Sequence, residues 1–107
     1  MQWRVETYSQ TVDDEIAALP LDLSARLARL VQTIELYGLE ALTAKQRKHL
    51  EGKLWELRVK GKDGIARAIY VSVTGPKVVI LHVFQKKTQK TPRQALGLAR
   101  QREKQLP

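Results

Sequence analysis

Residues 54–59 read LWELRV, residues 67–73 read RAIYVSV, and residues 78–87 read VVILHVFQKK. Gly61 and Gly64 punctuate the first gap, and Gly75-Pro76 the second. Three apolar runs of strand length separated by tight turn signals spell a β-meander. Trp55, Leu57 and Val59 alternate with Leu54, Glu56, Arg58 and Lys60, which puts the two sets on opposite faces. Arg67, Ile69, Val71 and Val73 alternate likewise with Ala66, Ala68, Tyr70 and Ser72. Val78 to Phe84 is apolar at every position but His82, the pattern of a central strand buried on both sides. The basic residues of these runs are Arg58, Arg67, Lys86 and Lys87. They form either a solvated face or a site for phosphate.

Upstream of the meander, Gln2 to Thr7 alternates as a first strand. Ser9 or Thr11 is placed to cap a short helix with Asp13, Asp14 and Glu15 in its first turn, where the helix dipole favours acids. Pro20 ends it. A second helix starts near Asp22 or Ser24, with Leu23, Leu27, Leu30, Val31 and Ile34 on one face. Arg26, Arg29 and Gln32 point away from that face, and Gly38 is placed for a left-handed C-cap. The two helices form a hairpin over one face of the sheet, a structural role with little chemistry. Residues 40–52 read as a basic loop or short helix anchored by Leu42 and Leu50 and carrying Lys45, Arg47, Lys48 and His49. Downstream, Thr91-Pro92-Arg93-Gln94 has the form of a capping box opening a helix with Ala95, Leu96 and Ala99, followed by a basic tail from Arg100 to Lys104. The expected order is β-α-α-β-β-β-α, a small α+β fold with a mainly antiparallel sheet packed against a helical hairpin.

At 107 residues the chain fits one domain spanning residues 1–107. Its 43% hydrophobic and 28% charged content is that of a folded soluble chain. No apolar run approaches the roughly 20 residues of a membrane span, and the N-terminal segment lacks the apolar core of a signal peptide. With no cysteine there is no disulfide framework, thiolate metal site or thiol nucleophile. A cytoplasmic protein is the simplest fit. The charge is more specific. Residues 1–40 hold three basic and seven acidic groups, a net of −4, whereas residues 41–107 hold sixteen and four, a net of +12. Positive charge so concentrated draws nucleic-acid phosphate through counterion release and steers polyanionic partners.

In this order the residues resemble the phage-derived, HigB-like branch of the RelE/ParE toxin superfamily. The resemblance rests on LWELRV, on the arginine opening the next strand, on VVILHVFQKKTQKTP, and on a final helix beginning A-x-x-x-A-R. Glu56-Leu57-Arg58 and the block Phe84 to Pro92 are its most specific pieces. The resemblance implies a small RelE-like fold and a toxin of a type II toxin–antitoxin system. It further implies a ribosome-dependent endoribonuclease that cuts mRNA and stops translation, working without metal or cofactor. Its partners would be the ribosome, mRNA and a cognate helix-turn-helix antitoxin, with the free toxin a monomer. ParE members of the superfamily poison gyrase instead, and a non-catalytic basic module for nucleic acid is a third reading.

Metal-free RNA cleavage requires removal of the 2′-hydroxyl proton, stabilisation of a pentacoordinate phosphate and protonation of the 5′-oxygen. Arginine suits the second task, because its planar fork matches two phosphate oxygens and it stays charged. Arg58 and Arg67, on neighbouring strands, can be presented together on one face. A lysine among other cations can serve in proton transfer, which makes Lys86 and Lys87 candidates. If the last strand stays regular, His82, Phe84 and Lys86 share one face and Lys87 the other; a bulge after Phe84 would exchange them. Histidine's ordinary pKa of about 6.5 suits acid–base work, although in so apolar a run His82 reads first as a core histidine with a partner. Arg58 has a structural alternative too, an ion pair with Asp13 or Glu15. Arg67 has another, as a solvated strand-end residue. RNA contacts are assigned to Lys45, Arg47, Lys48, Lys53, Lys90, Arg93, Arg100 and Arg102, and Trp3 and Trp55 are assigned to the core.

Overall fold

Residues 78–84 lie in the last strand of the meander, next to the middle strand of the observed sheet. In the computed structural model, which describes residues 2–86 (for Lys86 the backbone only) and 91–107, they belong to strand β5, Lys77–Lys86. The other strands are β1 (Arg4–Thr7), β2 (Arg47–Glu51), β3 (Leu54–Gly61) and β4 (Gly64–Val73). They assemble in the order β1-β5-β4-β3-β2. β1 runs parallel to β5, and every other pairing is antiparallel. The three strands of the meander are therefore central, and β1 and β2 are the edges.

Helices α1 (Gln10–Ala17) and α2 (Leu21–Tyr37) cover one face, and α3 (Arg93–Lys104) covers the other. The alternation in the sequence sorts the core as expected. Leu57, Val59, Ala66, Ala68 and Tyr70 pack under Val12, Leu23, Leu27, Leu30 and Ile34. Leu54, Ile69, Val71, Val79 and Leu81 pack under Ala95 and Ala99. Burial of these side chains at about 25 cal/mol per Å² is what holds both helical layers to the sheet.

Three local expectations are corrected. Residues 40–52 are not merely a loop: a single 3-10 turn (Leu39–Ala41) leads into β2, whose pairing with β3 turns a polar, basic segment into an edge strand. The element order thus gains a strand. Gly38 adopts φ +85° and ψ 171°, a glycine conformation outside the left-handed helical region. A Cβ there would also stand 2.7 Å from Trp3 Nε1, so the chain can leave α2 past the indole only at glycine. α2 begins at Leu21, beside the expected Asp22, which lies in its first turn. Thr91 does not cap α3; Pro92 is the residue before the helix, and the threonine hydroxyl is engaged elsewhere.

The last strand is not regular either, but its irregularity precedes the basic end. The register with β4 shifts between Ile69 and Tyr70, so Leu81 is the extra residue of a bulge. Leu81 packs on the α3 side, and His82 and Phe84 stack with ring centroids 5.1 Å apart. Beyond Ile80, β5 has no strand on its outer side, because β1 ends at Thr7. Side chains take over the unpaired backbone groups. Glu15 Oε1 accepts from Val83 N at 2.9 Å, and Arg102 Nη1 donates to Leu81 O at 2.6 Å.

Candidate functional site

Glu56 lies in β3 with zero exposure, and its carboxylate gathers three donors. Arg58 Nε and Arg67 Nη1 each donate to Oε2 at 2.8 Å, and Thr91 Oγ1 donates to Oε1 at 2.8 Å. Strand parity explains the meeting. Glu56 and Arg58 are two apart on one face of β3, and Arg67 lies directly opposite Arg58 in the β3–β4 register. A buried carboxylate needs such partners, because desolvation of an unpaired charge costs several kcal/mol. Two guanidiniums face one carboxylate, so the cluster carries an excess positive charge.

That excess opens outward through Arg58. Arg67 is 2% exposed, whereas the Arg58 side chain is 26% exposed. Both line a cleft of about 550 Å³ between α2 and the β3–β4 edge, together with Arg26, Arg29, Lys45 and Lys60. Leu30, Val59 and Ile65 form its apolar floor. No acidic side chain lines it among the described residues. Six cations around one concavity focus positive potential and attract phosphate, the more so where low-dielectric walls exclude water.

The sequence-predicted residues divide accordingly. Arg58, Arg67 and Lys45 come together in the cleft. Arg58 has neither Asp13 nor Glu15 as partner, and Arg67 is not a solvated strand-end residue; Glu56 binds both. His82 stands apart, with Nδ1 3.0 Å from Glu15 Oε1, outside the cleft lining. Arg102 reaches the same glutamate at 3.4 Å, and Arg100 pairs with Glu51. Arg47 covers the Trp55 ring at 4.6 Å, and His49 tilts against that ring at 5.0 Å. Lys48, Lys53 and Arg93 are exposed. Lys87, Lys90 and the Lys86 side chain lie outside the described residues. The Lys86 backbone pairs with Ile65, which lines the cleft floor.

Four residues of the site, Arg26, Arg29, Lys60 and Glu56, are outside the set that the sequence assigns to it. Arg26 and Arg29 point away from the core face of α2, as their helical spacing places them, and line the cleft. Glu56 was legible by parity alone, since it shares a face with Arg58. In the core under α2, burial pushes the Tyr70 phenol up to about 12, an effect that the neighbouring Arg47 only partly offsets. Its hydroxyl makes no hydrogen bond of regular geometry among the described residues.

An α+β domain with three helices and a five-stranded, mostly antiparallel sheet is the architecture of a small RelE-like domain. Residues 14–104 match the family described as Phage derived protein Gp49-like (DUF891), and the chain belongs to that family of phage-derived, RelE-like and toxin-like proteins. No curated protein matches the chain significantly. No helix among the described residues is long and apolar enough to cross a membrane.

Proposed function

We propose that this protein is the toxin of a type II toxin–antitoxin system, of the HigB-like branch, and acts as a ribosome-dependent, metal-free endoribonuclease on mRNA. The observation that carries the reading is the Glu56-anchored arginine pair opening through Arg58 into a cleft lined by cations and, among the described residues, by no acid. The family supports the toxin class; the cleft supports a phosphate-bearing substrate. Arg58 holds the scissile phosphate and stabilises the charge that builds on it after attack by the 2′-hydroxyl. Arg67 and Glu56 fix its fork from behind, so little reorganisation is needed when the charge develops. Lys86 is the candidate for proton transfer in this reading, which its backbone register opposite Ile65 of the cleft supports. The partners under this reading are the ribosome with bound mRNA and an antitoxin of helix-turn-helix type that covers the basic cleft.

Expression in a host lacking the antitoxin tests this directly. Growth should arrest, and mapping of mRNA 5′ ends should show new termini that depend on translation. Intact mRNA with impaired supercoiling in a gyrase assay would instead identify a gyrase poison. Salt-sensitive binding of nucleic acid without toxicity would identify a non-catalytic module.

A further inference from the structure

The helical wall of the cleft has no part in the chemistry above. Arg26 and Arg29 stand three residues apart on α2, about 4.5 Å along its axis, and line the same cavity as Arg58 on β3. Carboxylates grip an arginine on each wall in the same manner. Asp22 Oδ1 accepts from Arg26 Nε at 3.2 Å, and Glu56 Oε2 accepts from Arg58 Nε at 2.8 Å. With Nε engaged, the Nη1/Nη2 edge is the fork left to a second oxyanion. Asp22 is itself fixed, because Oδ2 accepts from Lys62 N at 3.0 Å across the β3–β4 turn. Gly61 permits that approach, since any Cβ there would collide with the carboxylate. The turn between the sheet strands therefore sets where the α2 arginine stands.

We infer that the α2 wall is a second phosphate subsite: Arg26 and Arg29 bind the backbone phosphates next to the one held by Arg58. The ligand of the cleft is then a single-stranded oligoribonucleotide engaged at successive phosphates, not a mononucleotide. A cavity of about 550 Å³ falls in the range of small-ligand sites, about 300–1,000 Å³, which admits a short stretch of single strand and not a duplex. Among the described residues, Thr33 and Gln46 are the only uncharged polar side chains in the lining, and no aromatic ring is there to stack a base. The recognition is thus of the backbone, and tolerant of sequence. This inference rests on reading the cleft as an RNA site.

The test uses the full chain and a short, fluorescently labelled single-stranded oligoadenylate, titrated between 50 and 200 mM salt. Each phosphate contact on a single strand contributes about 0.7 to the slope of log K against log salt. Arg26→Ala and Arg29→Ala should each lower the slope by about that amount and weaken binding several-fold. Displacement by adenosine monophosphate, which presents one phosphate, should be unchanged in both variants. Arg4→Ala, on the far edge strand, should match the wild type. The Asp22–Arg26 pair is exposed and contributes at most about 1 kcal/mol, so folding survives its loss; Arg26→Lys, which keeps the charge, should retain most of the slope. Unchanged slopes in both alanine variants overturn the inference. So do a loss in only one of them, an equal loss for the mononucleotide, and failure of the wild type to bind the oligonucleotide. Expected binding without toxicity or mRNA cleavage would sink the ribonuclease reading and leave the subsite standing. Toxicity with wild-type slopes in both variants would do the reverse.

Discussion

Two glutamates, Glu15 on α1 and Glu56 on β3, each gather cations in this molecule, and they do so for different ends. Glu15 reaches from α1 to the bulge in β5, where it takes His82 Nδ1, Val83 N and, at longer range, Arg102. Glu56 lies in β3 and takes Arg58, Arg67 and Thr91. Glu15 is 19% exposed and serves a fold defect: it and Arg102 replace the strand neighbour that β5 lacks beyond Ile80. Glu56 is fully buried and faces more cation than it can neutralise, with the surplus displayed to a cleft. The lesson is that an acid among arginines has to be judged by where the remaining charge points. At Glu15 it points into the fold, and at Glu56 it points to a prospective ligand.

The contrast breaks most visibly at Glu56. Glu56→Ala leaves Arg67 buried without its carboxylate, and removing one member of a buried pair costs about 3–5 kcal/mol. Urea unfolding should show a loss of that size, and a loss below about 1 kcal/mol would mean that the cluster is solvated after all. Arg58→Ala comes next, because it removes the exposed member and keeps the buried pair. By analogy with the loss of a single transition-state donor, mRNA cleavage should fall by about 10²–10³-fold, with the unfolding midpoint little changed. Wild-type cleavage by this variant would remove Arg58 from the chemistry. Glu15→Ala should be milder in stability than Glu56→Ala, about 1–3 kcal/mol for the orphaned Val83 amide and its ion pairs. It should leave single-turnover cleavage by the remaining folded protein near the wild-type rate. A cleavage loss as large as that of Arg58→Ala would erase the distinction drawn between the two clusters.

Much of this arrangement was legible in the sequence, for a physical reason. Alternation with a period of two assigns faces whatever the tertiary context, so Leu54 to Lys60 and Ala66 to Val73 sorted correctly, and Glu56, Arg58 and Arg67 fell on one side. What alternation does not carry is the identity of the layer above. That Glu56 is buried depends on α3 and Thr91, 35 residues away, and the hydroxyl that reads as a helix cap is drawn off by this longer-range charge. β2 was missed because Arg47-Lys48-His49 has no apolar rhythm; its strand form comes from the free edge of β3. Arg26 and Arg29 were assigned correctly to the polar side of α2. That this side borders a cleft follows from the crossing of α2 over β3, which no local pattern encodes.

The smallest expected effect concerns the other face of the sheet and has the opposite sign. Tyr70 is packed beneath α2 with its hydroxyl buried and without a regular hydrogen bond among the described residues. Such a group gives up its water contacts for only a partial interaction with Arg47 in return, so Tyr70→Phe should be neutral or slightly stabilising at pH 7, in contrast to both glutamate variants. The pH dependence gives a sharper readout. Burial raises the folded-state pKa from 10.0 to about 12, so the fold favours the neutral phenol. Below pH 10 the phenol is neutral in both states and its ionisation adds no penalty. Between pH 10 and about 12 the unfolded chain ionises first, and stability falls by up to about 1.4 kcal/mol per pH unit from this residue. Tyr70→Phe should remove that part of the alkaline slope in urea unfolding followed across the window, and parallel curves for the two proteins would place the phenol in contact with water.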